Sequence, residues 1–553
     1  MSMKLVIIGG VAGGATAAAR ARRVSEEARI ILFERGEFIS FANCGLPYYV
    51  GGAIPDRGRL LVTTAAAFES RYRIDIRTFS EVLSIDRAAK TVKVMNHATG
   101  ETYTETYDKL ILSPGAAPIK PPLPGIDNDK VFTLRTIPDS DRIKAYIDQR
   151  RPTAAVVVGG GFIGLEMIES LTERGIKTTL LEKLDQVLPP FDGDMAAIVQ
   201  SGLKRKGVEC LLGQGLSAVS EQDNRLRVAT DSGVEIVCDM LILSVGIRPE
   251  NVLAKEAGLE LCPRGHIKVD ASMRTSDKDI YAVGDAVCTY DLVLGTPTAT
   301  ALAGPANKQA RIAADNAMGR AAVFPGTLGT AVVKVFDLTA ASTGANEKTL
   351  AANKIPYRVS YTHSGSHASY YPGAEPMAIK LLFAPDDGKI LGAQIVGGGG
   401  VDKRIDVLAT ALRGHMRAGD LEELELAYAP PYSSAKDPVN VAGYVANNIL
   451  KGDMQIVTWQ EIDNLPEDHV LIDLRERREL DMSGFIKGAL HIPVNSLRDR
   501  LGELDRSKTY VVYCAVGLRG YIAYRILVQH GFKARNLSGG YTTYYLAKGE
   551  TIS

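Results

Sequence analysis

The chain reads as an α/β protein of several domains: two units on parallel sheets, an α+β segment and a small α/β domain at the C-terminal end. Three observations predict this. A buried strand, a glycine-rich turn, a helix, a second strand and an acid follow one another twice, from Lys4 to Glu34 and from Ala154 to Glu182. Between Gly329 and Leu450 the apolar period becomes two, with strands expected at Val332 to Phe336, Ile379 to Phe383 and Ile390 to Val396 and a helix near Asp402 to Arg413. After Lys451-Gly-Asp453 a linker gives way to the only tryptophan, Trp459, and a fresh alternation of strands and helices over about a hundred residues, enough for one small domain.

Length and charge bound the function classes. At 553 residues the chain has room for about three to five domains of ordinary size. Lys plus Arg equals Asp plus Glu at 64 each, so no global field favours nucleic acid or an anionic membrane, and anionic ligands need local patches. Six cysteines without short regular spacing argue against a disulfide framework and for a reducing compartment. Met1 to Lys4 run straight into an apolar strand, and no apolar run reaches the roughly 20 residues of a membrane span, so a cytoplasmic protein is expected.

In the first unit, Lys4 to Ile8 is a buried strand, Gly9-Gly10-Val11-Ala12-Gly13-Gly14 a turn, Ala15 to Arg23 a helix, and Arg29 to Phe33 a strand that ends at Glu34. A glycine turn that opens a helix aims backbone N–H groups and the positive helix end at a pyrophosphate, and an acid about 20 residues on holds a ribose hydroxyl. Gly9, Gly14 and Glu34 are the candidates for that work, and Val11 stands where the middle fingerprint glycine would be. Tyr107 to Gly115 is a returning strand that ends in a tight turn at Gly115. Arg20, Arg22 and Arg23 sit at the helix C-terminus, either as a solvated end that complements the dipole or as a grip for the phosphates of a thiol-bearing ligand.

In the second unit the fingerprint is complete, with Gly159, Gly161 and Gly164 followed by a helix to Arg174 and a strand ending at Glu182. A carboxylate there favours a free 2′-hydroxyl, so NADH is expected over NADPH, with Lys183 as the opposing charge. Met240 to Pro249 repeats the strand-to-turn design of Leu110 to Gly115 and carries Gly246. A further short strand, Asp279 to Ala286, places Asp285 at its end, suited to a sugar-alcohol chain. Two such units call for two dinucleotides, FAD in the first and NADH in the second.

From Met3 to about Leu450 the chain resembles the two-dinucleotide flavoprotein disulfide reductases, and within them the coenzyme A disulfide reductase branch. The resemblance is carried by Ser40-Phe-Ala-Asn-Cys-Gly-Leu-Pro-Tyr-Tyr49, by the Asp285 turn and by Lys334-Val-Phe-Asp-Leu-Thr-Ala-Ala-Ser-Thr-Gly344. Disulfide-active members pair two cysteines separated by four residues, whereas here Tyr49 holds the second position. The resemblance therefore implies that Cys44 cycles through a mixed disulfide with a small thiol or through a sulfenic acid. It further implies that Arg20, Arg23, Ser40, Asn43 and Arg71 hold coenzyme A. A homodimer is also implied, bringing Tyr428 to Asp437 against the other subunit's flavin, with Tyr428 and Tyr371 or its neighbour Tyr370 approaching the reacting sulfurs. His363 and His367 are four apart, but Gly365, Pro372 and Gly373 suggest a loop and no further ligand set accompanies them, so no metal site is expected.

Val470 to Arg475, Gly484 to Pro493 and Tyr510 to Arg519 together resemble a rhodanese domain, with Phe485 where a histidine is common. Strand Tyr510 to Tyr513 delivers Cys514 to a loop ending at Arg519, and successive loop amides ahead of a helix form an anion nest that stabilises a thiolate or persulfide. Four residues separate Cys514 from Arg519, one fewer than in the similar phosphatase loop, and the smaller cradle suits sulfur. The expected domains are 1–150 with 251–325 for FAD, 151–250 for NAD(P)H, 326–450 for dimerisation and 451–553 for the rhodanese unit. The implied activity is an FAD-dependent, NADH-driven reduction of coenzyme A disulfide, coenzyme A persulfide or polysulfide; the alternative is an NADH oxidase or peroxidase that cycles Cys44 through a sulfenic acid.

Overall fold

The run Lys4–Ile8 is apolar without alternation because it lies at the centre of a parallel sheet, covered on both faces. The computed structural model describes residues 2–549. Its first compact unit comprises Met1–Lys183 and Gly213–Gly329. In chain order this unit carries β1 (Lys4–Ile8), α1 (Ala12–Val24), β2 (Arg29–Phe33), α2 (Leu46–Gly51), α3 (Ala65–Tyr72), β3 (Asp75–Arg77) and β4 (Lys109–Leu112). There follow α4 (Ile137–Arg150), β5 (Ala154–Val158), α5 (Phe162–Glu173), β6 (Lys177–Glu182), β7 (Met240–Leu243), β8 (Ile280–Ala282) and α6 (Ala303–Ala317).

One sheet runs β8-β4-β1-β2-β3, all parallel, with α1 packed on α6. The second places β5 between β6 and β7, again parallel. Parallel pairing sends every connecting turn that matters here, after β1, β2, β4, β5, β7 and β8, to the carboxyl ends of the strands, where ligands bind in open α/β sheets. One expectation is corrected in this unit: Cys262 and Cys288 form a disulfide. Their 26-residue spacing gives no local signal, and they meet because the short strand Ile267–Lys268 pairs with Val287–Tyr290.

The second unit comprises Leu184–Leu212 and Thr330–Ser553, so the helix Gly193–Arg205, within the range 151–250, packs here. Its larger sheet is antiparallel, β9 (Ala331–Val335), β10 (Leu338–Gly344), β11 (Arg358–Gly365), β12 (Pro376–Phe383) and β13 (Ile390–Gly397), in the order β9-β10-β13-β12-β11. Helices α7 (Val401–Arg413) and α8 (Pro438–Leu450) cover it. His363 lies on β11 and not in a loop: the residues before Gly365 are β-formers, and His363 pairs in register with Ala378.

The C-terminal module follows as β14 (Ile456–Val457), β15 (His469–Asp473), α9 (Arg477–Ser483), β16 (Leu490–His491), β17 (Thr509–Tyr513), α10 (Leu518–Gln529), β18 (Lys533–Leu537) and α11 (Gly540–Ala547). Its strands form a parallel sheet ordered β14-β18-β17-β15-β16. The expected linker is held down, with Met454 buried and Arg525 Nη1 donating to Asp453 Oδ1 at 3.0 Å. His363 Nε2 meets Thr543 Oγ1 of α11 at 2.7 Å, and Tyr361 N donates to Ser538 Oγ at 3.2 Å. Lys380 is fully buried among Asp194, Asp192 and Glu347, at 2.9, 3.0 and 3.1 Å, and Trp459 Nε1 donates to Asp194 Oδ2 at 3.2 Å. Burial alone would lower the Lys380 ammonium, but the surrounding carboxylates reverse this and hold its pKa raised.

Candidate functional site

Both glycine turns are built alike. Gly9 and Gly159 have φ of 94° and 107°, and a Cβ on either would collide with the carbonyl oxygen of Ser113 or Ser244 on the neighbouring strand turn. A Cβ on Gly14 or Gly164 would strike the Gly9 or Gly159 carbonyl, so both glycines let helix and strand approach closely. Gly161 differs, because a Cβ there meets open space, the room a phosphate needs. Val11 has φ of −90°, so no left-handed backbone requires a glycine at that fingerprint position.

Neither α1 nor α5 has a side-chain N-cap, which leaves first-turn amides directed at the turn and fits a bound pyrophosphate in both places. The acids stand at the ends of the second strands as expected. Glu34 accepts from Gly10 N and Gly36 N at 2.8 Å each, and buried Glu182 accepts from Gly160 N at 2.6 Å. Gly115 and Gly246, with φ of 73° and 114°, turn the chain after β4 and β7. Asp285 lies just past β8 in a buried turn; burial raises its carboxyl pKa and Arg135 pulls it back.

Cys44 follows β2 on the short turn Asn43–Gly45, and both Asn43 and Cys44 are exposed. Ser40 is held at φ of 47°, its N–H on Gly10 O and its carbonyl on Val62 N, so backbone strain ties the cysteine loop to the first glycine turn. Tyr49 is buried, with the Lys144 ammonium over its ring. Partial desolvation and then the charges of Glu166 and Asp285 raise the Cys44 thiol pKa. Of the other free cysteines, Cys210 and Cys238 are pushed up by burial to about 11 and about 12 and stay protonated at neutral pH.

The basic cluster divides. Arg20 binds Asp315 through Nε and Nη2 at 2.8 and 2.9 Å, buried Arg22 caps four backbone carbonyls, and Arg23 and Arg71 are exposed. Tyr428 meets Tyr370, hydroxyl to hydroxyl at 2.7 Å, while Tyr371 packs edge-on against His367.

Glu166 was missed by sequence reasoning. It stands in the first turns of α5 and accepts from Tyr48 Oη at 3.1 Å, across 118 residues. Burial pushes its carboxyl up to about 7, against the pull of that hydrogen bond. Its negative charge on Cys44 therefore grows as pH rises through about 7. Glu166→Gln is expected to lower the Cys44 thiol pKa and to speed its alkylation by iodoacetamide about threefold at mildly alkaline pH, with little change at mildly acidic pH. Alkylation rates followed by mass spectrometry of the Cys44 peptide check this; identical profiles would separate Glu166 from the thiol.

Cys514 forms the buried floor of the loop after β17 and accepts from Gly517 N at 3.1 Å. Arg519 reaches toward its sulfur and donates to Glu479 at 2.6 and 2.7 Å. Among the described residues no group of three or more His, Cys, Asp or Glu could hold a metal, and no helix is long and apolar enough to cross a membrane.

Residues 3–311 match the family model described as pyridine nucleotide-disulphide oxidoreductase, residues 330–438 its dimerisation domain and residues 458–547 the rhodanese-like domain. Over 444 residues the chain is 37% identical to coenzyme A disulfide reductase of Staphylococcus aureus strain JH9, which spans 80% of this chain and 99% of that one. The crystal structure of reduced Bacillus anthracis CoADR-RHD is similar with a TM-score of 0.97 and 52% identity, covering 99% of this chain and 98% of that one. A NAD-dependent persulfide reductase from A. fulgidus is similar with a TM-score of 0.92 and 39% identity, over 98% and 100% of the two chains.

Proposed function

The chain belongs to the pyridine nucleotide-disulphide oxidoreductase family, and from that premise we propose that it uses NADH to reduce coenzyme A disulfide or persulfide through Cys44, with sulfane sulfur received by Cys514. One observation carries this reading. Cys44 is an exposed single thiol whose charged neighbours are Asp285, at the end of the first sheet, and Glu166, on the helix of the second glycine turn.

Gly9, Gly14, Glu34, Gly115 and Asp285 would hold FAD, and Gly159, Gly161, Gly164, Glu182 and Gly246 would hold NADH. Arg20, Arg23, Ser40, Asn43 and Arg71 would hold coenzyme A. Bound FAD supplies the path by which two electrons from the nicotinamide return a Cys44 mixed disulfide to two thiolates. The chain's own step is nucleophilic: the Cys44 thiolate attacks one sulfur of a coenzyme A disulfide, the new Cys44–S bond forms, the old S–S bond breaks and a coenzyme A thiolate leaves. In a homodimer, the Tyr370–Tyr428 hydroxyl pair of one subunit would serve the Cys44 site of the other by donating to that leaving thiolate.

Anaerobic NADH oxidation with coenzyme A disulfide and coenzyme A persulfide tests the reading, with thiol or sulfide release as product. Consumption of peroxide or oxygen in place of these acceptors would give the site to sulfenic acid chemistry. In the same assay NADH is expected to exceed NADPH in kcat/KM by about tenfold or more, because Glu182 sets a like charge against the extra phosphate. A preference for NADPH would show that Lys183 outweighs it.

A further inference from the structure

The mouth above Cys514 is crowded with exposed apolar side chains. Met482, Phe485, Val516, Leu518 and Ile522 are 68, 57, 38, 67 and 42% exposed. Val516 and Leu518 belong to the Cys514–Arg519 loop, and Ile522 lies one turn along α10. The other two belong to the facing segment: Arg519 binds Glu479 of α9, Met482 is three residues further on that helix, and Phe485 lies just past its end. Ile486 N donates to Tyr513 Oη at 3.2 Å, which ties that segment to the residue preceding Cys514.

The two cations nearest the sulfur are committed, Arg519 bidentate on Glu479 and Arg475 paired with Asp473 at 2.6 Å; on the outer segment Arg477 pairs with Asp481 at 3.0 Å, while Arg478 and Lys487 are exposed. Cys514 itself is 1% exposed, so only a slim group reaches its sulfur. A small dianion that descends to the buried sulfur sheds its hydration for loop amides and for cations already committed to carboxylates, whereas an aliphatic arm gains by covering the rim.

We propose that this apolar rim selects the sulfur donor of Cys514, accepting a low-molecular-weight persulfide on an uncharged aliphatic arm and rejecting thiosulfate. The inference rests on Cys514 being the sulfur acceptor. In the transfer the Cys514 thiolate attacks the outer sulfur of R–S–SH, a Cys514–S bond forms, the S–S bond of the donor breaks, and R–S⁻ leaves with the bonding pair. The proton stays on the transferred sulfur, and no outside oxidant or reductant is needed.

The test uses the full chain with Cys44→Ser, so that sulfur gain is read at Cys514, and follows persulfide formation by mass spectrometry with pantetheine persulfide or thiosulfate as probe. Pantetheine persulfide is expected to load Cys514 about tenfold or more faster. Adding Phe485→Lys and Leu518→Lys, both at exposed positions, should shrink that ratio at least about tenfold, which intrinsic donor reactivity cannot mimic. An unchanged ratio, or equal loading by thiosulfate before the lysines are added, overturns the selection. Loading by neither donor overturns the acceptor reading and the inference with it. A change of oligomeric state in light scattering with the ratio intact would instead make the rim a contact between copies of the chain, and the selection would fall.

Discussion

Cys44→Ser is expected to remove NADH-driven reduction of coenzyme A disulfide and persulfide, lowering kcat/KM by about a thousandfold or more. A serine hydroxyl is not ionised near neutral pH and forms no disulfide, so both the nucleophile and its oxidised form are lost. The fold should tolerate the change, because Cys44 is exposed on a short turn and the glycine turns, Glu34 and Glu182 are held by backbone contacts elsewhere. FAD absorbance should persist, and so should sulfur acceptance by Cys514. Steady-state rates with each acceptor check the first expectation. Retained reduction above about a tenth of the parent rate would remove Cys44 from the reaction.

Lys380→Met is expected to destabilise the second unit by about 3–5 kcal/mol, since truncating one partner of a buried ionic cluster leaves the others uncompensated. Asp192 and Asp194 are also nearly fully buried, and Glu347, whose pKa is raised first by burial, completes the set. The Lys380 contribution is present below the ordinary lysine range and is lost only as pH climbs through the raised value, so the loss on substitution should appear throughout the neutral range. Trp459 reports it directly, being the only tryptophan and a donor to Asp194. Urea denaturation followed by Trp459 fluorescence should show an earlier midpoint, and release of the C-terminal module ahead of the larger sheet would place the lock between them. An unchanged midpoint would show that the cluster contributes nothing net.

Much of this architecture was legible from short-range pattern. Lys4–Ile8, Arg29–Phe33 and Ala154–Val158 form strands over the residues expected, and Glu34 and Glu182 stand at strand ends beside their glycine turns. The helices begin earlier than expected, at Ala12 and Phe162, because Gly13, Gly14 and Gly164 themselves take helical geometry. Cys514 could be placed in its loop because a strand, a glycine and a helix start surround it within a few residues.

What the sequence determined by itself is the backbone order: strand, turn and helix periodicities act over a handful of residues, and a glycine's φ or a strand's burial leaves a local mark. Only the tertiary structure decided which distant side chains share a site. Tyr48 meets Glu166 across 118 residues, Tyr370 takes Tyr428 as partner in preference to Tyr371 doing so, and Lys380 gathers Asp194 from 186 residues away. Cys262 and Cys288 bond because two short strands pair. Such contacts depend on how packed elements close the chain on itself, and neither charge nor spacing along the sequence carries that geometry.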